Sequence, residues 1–112
     1  MENNEIQRLF IYGTLSDSEI QLALFKRLIS SELAILPNYK KDRIRLPDNP
    51  NGTIYPILKY NEDQNHQVNG HVLELTGKEL AIADEYEGDS YLRKKVRLLS
   101  GEHVWCYVSH EK

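Results

Sequence analysis

Arg8 to Tyr12 (RLFIY) forms a short apolar, β-rich run that reads as a buried strand. Gly13-Thr14 breaks it. Ser16-Asp17-Ser18-Glu19 then offers a capping box, a hydroxyl for the free amides of a first turn with a glutamate three residues on. Ile20, Ala23, Leu24 and Leu28 recur at helical spacing, with Gln21, Lys26 and Arg27 on the other side, so the pattern predicts an amphipathic helix from about Glu19 to Ile29. Leu33 to Leu36 reads as a strand stopped by Pro37, and Tyr39 to Arg45 as a further strand rich in Lys and Arg. Leu46 to Gly52 (LPDNPNG) is the strongest breaker cluster in the chain and predicts a loop long enough to act as a lid. Thr53 to Tyr60 is β-rich, but Pro56 lacks an N–H, which argues for an edge strand or a bulge. After the polar turn Asn61 to Asn65, Gln67 to Leu75 alternates. Val68, Gly70, Val72 and Glu74 share one side and His71, Leu73 and Leu75 the other, with Gly70 marking a bulge or a close backbone approach.

Thr76-Gly77-Lys78-Glu79 is a second capping box, opening a short helix from about Lys78 to Tyr86 on which Leu80, Ala83 and Glu87 stack. Gly88 ends that helix. Tyr91 to Leu99 and His103 to Val108 form a hairpin around Ser100-Gly101-Glu102. Strands outnumber helices and several are joined by tight turns. The expected class is α+β, a mixed, largely antiparallel, barrel-like sheet with two or more short flanking helices.

With 112 residues, the expectation is one domain over positions 1–112, enough for a single modest core. A chain 40% hydrophobic and 28% charged is ordinary globular protein. The formal charge of −3 provides no basic face, so no nucleic-acid partner is expected. The single cysteine, Cys106, rules out an internal disulfide and fits a reducing compartment. The polar N-terminus carries no signal pattern, and no stretch approaches roughly 18 apolar residues. The expected location is therefore cytoplasmic, with no membrane partner; oligomeric state is not legible.

Metal chemistry is not expected. His66, His71, His103 and His110 form no i, i+4 pair, Cys106 has no cysteine partner at ligand spacing, and His103 and Cys106 lie three apart on a strand, facing opposite ways. Set among Val104, Trp105, Tyr107 and Val108, the Cys106 thiol reads as a small core group. Two features remain. The strand ending in Tyr12-Gly13-Thr14-Leu15 and turning into a helix exposes several backbone amides that can hold a carboxylate; the alternative is a plain turn with Gly13 at positive φ. In Asp84-Glu85-Tyr86-Glu87, the first two carboxylates read as a solvated helix face. Glu87 stacks on the apolar stripe at a helix C-terminus. There it either meets a tyrosine or amide partner, or has a raised pKa suited to proton transfer near neutrality.

Four ordered pieces also resemble the γ-glutamylcyclotransferase-like superfamily: Phe10-Ile11-Tyr12-Gly13-Thr14-Leu15; Tyr55-Pro56-Ile57-Leu58; Val68 to Leu75; and Ala83-Asp84-Glu85-Tyr86-Glu87-Gly88 followed by Tyr91 and Arg93. The resemblance implies a barrel-like mixed sheet with a central cavity. It implies that Tyr12, Gly13, Thr14 and Leu15 bind the glutamyl end of a small-molecule γ-glutamyl substrate, that Glu87 is the acid/base, and that Tyr91 lines the cavity. It further implies release of 5-oxoproline and a free amine or amino acid by attack of the substrate's own α-amine, with no cofactor. Two other classes compete: a non-catalytic small-metabolite binding module on the same fold, and an interaction domain that would expose Trp105 in a wide apolar patch.

Overall fold

The computed structural model describes residues 5–45, 54–62, 66–88 and 91–108. In chain order the elements are β1 (Gln7–Ile11), a 3-10 turn (Thr14–Ser16), α1 (Ser18–Phe25), β2 (Ser31–Pro37), β3 (Tyr39–Arg45), β4 (Ile54–Tyr60), β5 (Gln67–Leu75), α2 (Gly77–Glu87), β6 (Leu92–Arg97) and β7 (His103–Val108). Five strands form one curved sheet in the order β2-β5-β1-β7-β6. Only the β1–β7 pairing is parallel; β1–β5, β2–β5 and β6–β7 are antiparallel. This is the expected α+β class.

The sheet does not close into a barrel, which corrects that part of the expectation. β3 and β4 pair with each other rather than joining the sheet. The two strands that could complete a circuit thus form a separate ribbon, and Leu99 N–H donates to Ile35 O (2.9 Å) across the far ends.

β1 is apolar from Leu9 to Ile11 because both of its faces are buried there. Phe10 points into a core with Leu36, Tyr39, Leu58, Val72, Val104 and Cys106, beneath the ribbon. Leu9 and Ile11 point the other way, into a core with Phe25, Leu73, Leu75, Leu80 and Ala83, beneath the helices. Leu9, Phe10 and Ile11 thus place β1 between the two cores, where each buried apolar Å² contributes roughly 25 cal/mol. Pro56 sits in an unbroken register opposite Arg43, so β4 is an edge strand without a bulge there.

α1 departs from its predicted bounds at both ends. Its N-cap is Asp17, whose Oδ1 accepts from Glu19 N (2.8 Å) and Ile20 N (3.4 Å), while Ser16 Oγ turns back to Gly13 O (2.7 Å). It stops at Phe25, where Lys26 adopts a left-handed φ of 62°. The buried Gln21 side chain explains the stop: its amide donates to Leu15 O (2.8 Å) and accepts from Ile29 N (3.1 Å), folding the chain back before another turn can form.

α2 follows its pattern closely. Glu79 N donates to Thr76 Oγ1 (3.1 Å) and Thr76 N to Glu79 Oε1 (2.9 Å), completing the capping box. Arg27 adds an ion pair to Glu79 at 2.7 Å and holds that carboxyl below its ordinary range. Gly88 ends the helix at φ 75°. Thr76→Ala is expected to cost about 1 kcal/mol, read as a lower urea midpoint at unchanged slope; an unshifted midpoint would show that the Arg27 tie holds the helix start unaided. The Leu46–Gly52 loop lies outside the described residues. No helix among the described residues is long and apolar enough to cross a membrane.

Candidate active site

β1 runs out of the core at Tyr12, and the chain turns over the end of the sheet. Gly13 has φ −143° and ψ −139°, so the turn does not use the positive φ that a plain-turn reading expects. The first bonds of the 3-10 turn come from Ser16 N and Asp17 N, to Gly13 O and Thr14 O. The amides of Thr14 and Leu15 therefore precede the turn's own ladder. Leu15 is buried against the helix-side core and anchors the turn.

This turn forms one wall of a cavity of about 180 Å³. The other walls are the end of α2 (Tyr86 and Glu87), Tyr91 ahead of β6, and Tyr107 of β7, with Phe10 and Ile11 at its base. Tyr12, Gly13, Thr14, Leu15, Tyr91 and Glu87, singled out in the sequence, thus meet around one space. Thr14 Oγ1 and Tyr86 OH, both exposed, bridge its mouth at 2.9 Å. Tyr12 OH donates to Tyr107 O (2.6 Å), and Lys41 Nζ donates to Tyr12 O (3.2 Å).

Glu87 is partly buried as the last residue of α2, one turn beyond the fully buried Ala83. Loss of water raises its pKa to about 7; the C-terminal end of the helix dipole acts in the same direction. Burial, first, and then the neighbouring Cys106, Tyr91 and Glu87 push the Tyr12 phenol upward, so it stays a neutral hydrogen-bonding group. The Cys106 thiol is also pushed up, mainly by burial and further by Glu87, which fits a core group and not a nucleophile. Among the described residues no group of three His, Cys, Asp or Glu side chains could hold a metal ion.

Sequence reasoning missed three participants. Asp84 is not simply part of a solvated face: its Oδ1 accepts from Tyr107 OH (2.7 Å) and from Arg93 Nε (2.8 Å). The signal was present, since Asp84 lies four residues after the inward Leu80 and three before Glu87. Tyr107 and Tyr86 line the cavity through strand alternation and helix-end geometry that the apolar pattern alone did not separate. Trp105 is not displayed in a wide apolar patch. It packs on the helix-side core, donates to Gln7 Oε1 (3.1 Å), and carries Arg93 and Lys95 over its ring at 4.3 and 4.6 Å.

A family described as "Gamma-glutamyl cyclotransferase, AIG2-like" matches residues 9–112. AIG2-like protein C of Arabidopsis thaliana is 33% identical over 92 residues, 81% of this chain and 49% of that protein. The chain thus spans about half the length of that curated relative. A solution structure from Arabidopsis thaliana superposes with a TM-score of 0.74 at 27% identity, over 96% of this chain and 70% of the other. A structure titled gamma-glutamyl cyclotransferase superposes with a TM-score of 0.73 at 18% identity, over 94% of this chain and 67% of the other; at that identity the likeness is one of fold.

Proposed function

The chain belongs to the AIG2-like gamma-glutamyl cyclotransferase family, and from that premise we propose that it closes the ring of a γ-glutamyl amide, releasing 5-oxoproline and a free amine or amino acid. The observation that carries this reading is the half-buried Glu87 carboxyl on the wall of a cavity that the Tyr12–Leu15 turn also lines; loss of water there pushes its pKa up to about 7. That cavity is smaller than the roughly 300–1,000 Å³ of drug-sized ligand sites, so it suits one small acyl group, with the amine portion leaving past Thr14 and Tyr86.

The chemistry asks little of the protein beyond placement. The substrate's α-nitrogen attacks its own γ-carbonyl carbon, a C–N bond forms in a five-membered ring, and the original amide C–N bond breaks. The step is intramolecular, so holding the near-attack conformer supplies much of the rate. Ionised Glu87 takes a proton from the α-ammonium to free the attacking amine; both protons lost by that nitrogen on ring closure end on the departing nitrogen, which leaves as the protonated amine and returns Glu87 to its ionised form. Amides at the Gly13 turn are suited to hold the α-carboxylate or the developing oxyanion.

The test is 5-oxoproline release from a panel of γ-glutamyl amines and peptides. Because the base form is required, kcat/KM is expected to rise with pH and level off above about 7, following the Glu87 ionisation. Failure of every panel member, together with ligand-induced thermal stabilisation by 5-oxoproline, would favour a binding module over an enzyme.

A further inference from the structure

We propose that Asp84 is the positioning residue of this site: through Tyr107 and Arg93 it pins the last turn of α2 to β6 and β7 and so sets where the Glu87 carboxyl stands against the Gly13 turn. The proposal rests on the cyclotransferase reading for its kinetics but not for its geometry.

Glu87 is the terminal residue of its helix, and helix ends fray because their last carbonyls lack partners. The final backbone bond of α2 is Gly88 N–H to Asp84 O at 3.0 Å. One residue, Asp84, therefore receives that bond on its backbone and two short bonds on its side chain, from the hydroxyl of Tyr107 and the guanidinium of Arg93. Tyr107 continues the chain, since its backbone oxygen accepts from Tyr12 OH. Asp84, Tyr107 and Tyr12 thus link the helix carrying Glu87 to the strand end carrying the turn, around the cavity all three elements border. Arg93 reinforces the link. It lies between Asp84 and the Trp105 ring, and its Nη1 is buried with no hydrogen-bond partner. Removing Asp84 would strip its guanidinium of the carboxylate on Nε and leave it poorly satisfied.

The groups around Glu87 are Tyr12 at the end of β1, Tyr91 ahead of β6, Cys106 and Tyr107 on β7, and Asp84 on its own helix with Arg93 behind it. Freed from its tie, the helix end would admit water to Glu87 and lower the carboxyl's pKa.

The experiment follows the Glu87 side-chain carboxyl by carbon NMR across pH, alongside steady-state kinetics, in wild type, Asp84→Asn and Asp84→Ala. Asparagine keeps an acceptor of the same shape for both donors. Asp84→Ala is expected to lower kcat by roughly 10- to 100-fold with KM little changed, the scale of a small misplacement, and to move the Glu87 midpoint down toward the ordinary glutamate range. Asp84→Asn should restore both. A wild-type midpoint and kcat in Asp84→Ala would overturn the proposal, as would an Asp84→Asn variant as damaged as the alanine. If wild type turns over no γ-glutamyl substrate, the titration alone decides: a lowered midpoint in Asp84→Ala upholds the positioning role while the cyclotransferase reading falls. If Asp84→Ala does not fold, Tyr107→Phe, which deletes only the donor, must lower the midpoint, and an unshifted one overturns the proposal.

Discussion

Replacing Glu87 with glutamine is expected to cut the kcat for 5-oxoproline release by roughly 10²–10⁴-fold, the usual contribution of a positioned acid/base group. Affinity for 5-oxoproline should stay close to that of wild type. Glutamine keeps the length and hydrogen-bonding capacity of the side chain but cannot take up and return a proton. The loss should therefore fall on kcat, and the rising pH limb near 7 should vanish with it. Wild-type turnover in Glu87→Gln would remove this residue from the chemistry.

The same substitution should raise stability above neutral pH. In the unfolded chain Glu87 ionises around its ordinary value of 4.5, whereas in the folded chain it resists ionisation up to about 7. Below pH 4.5 it is protonated in both states and has no effect on folding. As pH rises through that window the unfolded state releases its proton first, so wild-type stability is lost progressively and the full loss is reached above 7. With allowance for partial exposure, the loss is on the order of 2 kcal/mol. Glutamine does not titrate. Urea unfolding at pH 4 and pH 8 should therefore show the variant gaining on wild type only at the higher pH, and a constant difference would mean that the carboxyl is not desolvated. A site that is costly to keep folded yet required for turnover is expected of a tuned catalytic group.

The parts of this fold that were readable from sequence are those where local chemistry and tertiary packing agree. Thr76 with Glu79 specified the start of α2, and Gly88 specified its end, because the capping groups are neighbours in sequence. The burial of Leu9, Phe10 and Ile11 in β1 followed from a short apolar run, since both faces of the strand lie against core there. Asp17 displaced Ser16 as a cap, and α1 lost its last turn, because a distant requirement won: Gln21 satisfies Leu15 O and Ile29 N at the expense of helical continuation. Closure of the sheet was misjudged because strand count does not reveal that β3 and β4 pair only with each other. The six residues named for the site do gather around one cavity, but the Tyr107 and Asp84 supports come from elements far apart in sequence, and no local pattern records their contact.

Gly70→Ala is expected to produce a large loss of stability. A Cβ at this position would lie 2.3 Å from Ile11 O and 2.7 Å from Phe10 Cζ, distances that no side-chain rotation relieves, because one of the obstacles is backbone. β5 pairs with β1 through Ile11 opposite His71 and Phe10 opposite Val72, and Gly70 lies just beyond that register, where the Phe10 ring crosses the strand. The close approach read from the sequence is therefore present, without a bulge. Making room requires moving β1 away from β5 or turning the fully buried Phe10 out of its place in the core. Overpacking of this kind costs roughly 1–3 kcal/mol and sometimes more, which for a domain of this size lowers the melting temperature by about 4–8 °C per kcal/mol. The displacement would also reach the site, since Ile11 leads directly into Tyr12 and the Gly13 turn, so residual turnover should fall even at temperatures where the variant remains folded. Thermal melting and turnover measured on the same sample separate the two effects. A melting temperature within a degree or two of wild type would mean that the two strands do not approach as closely as the geometry requires.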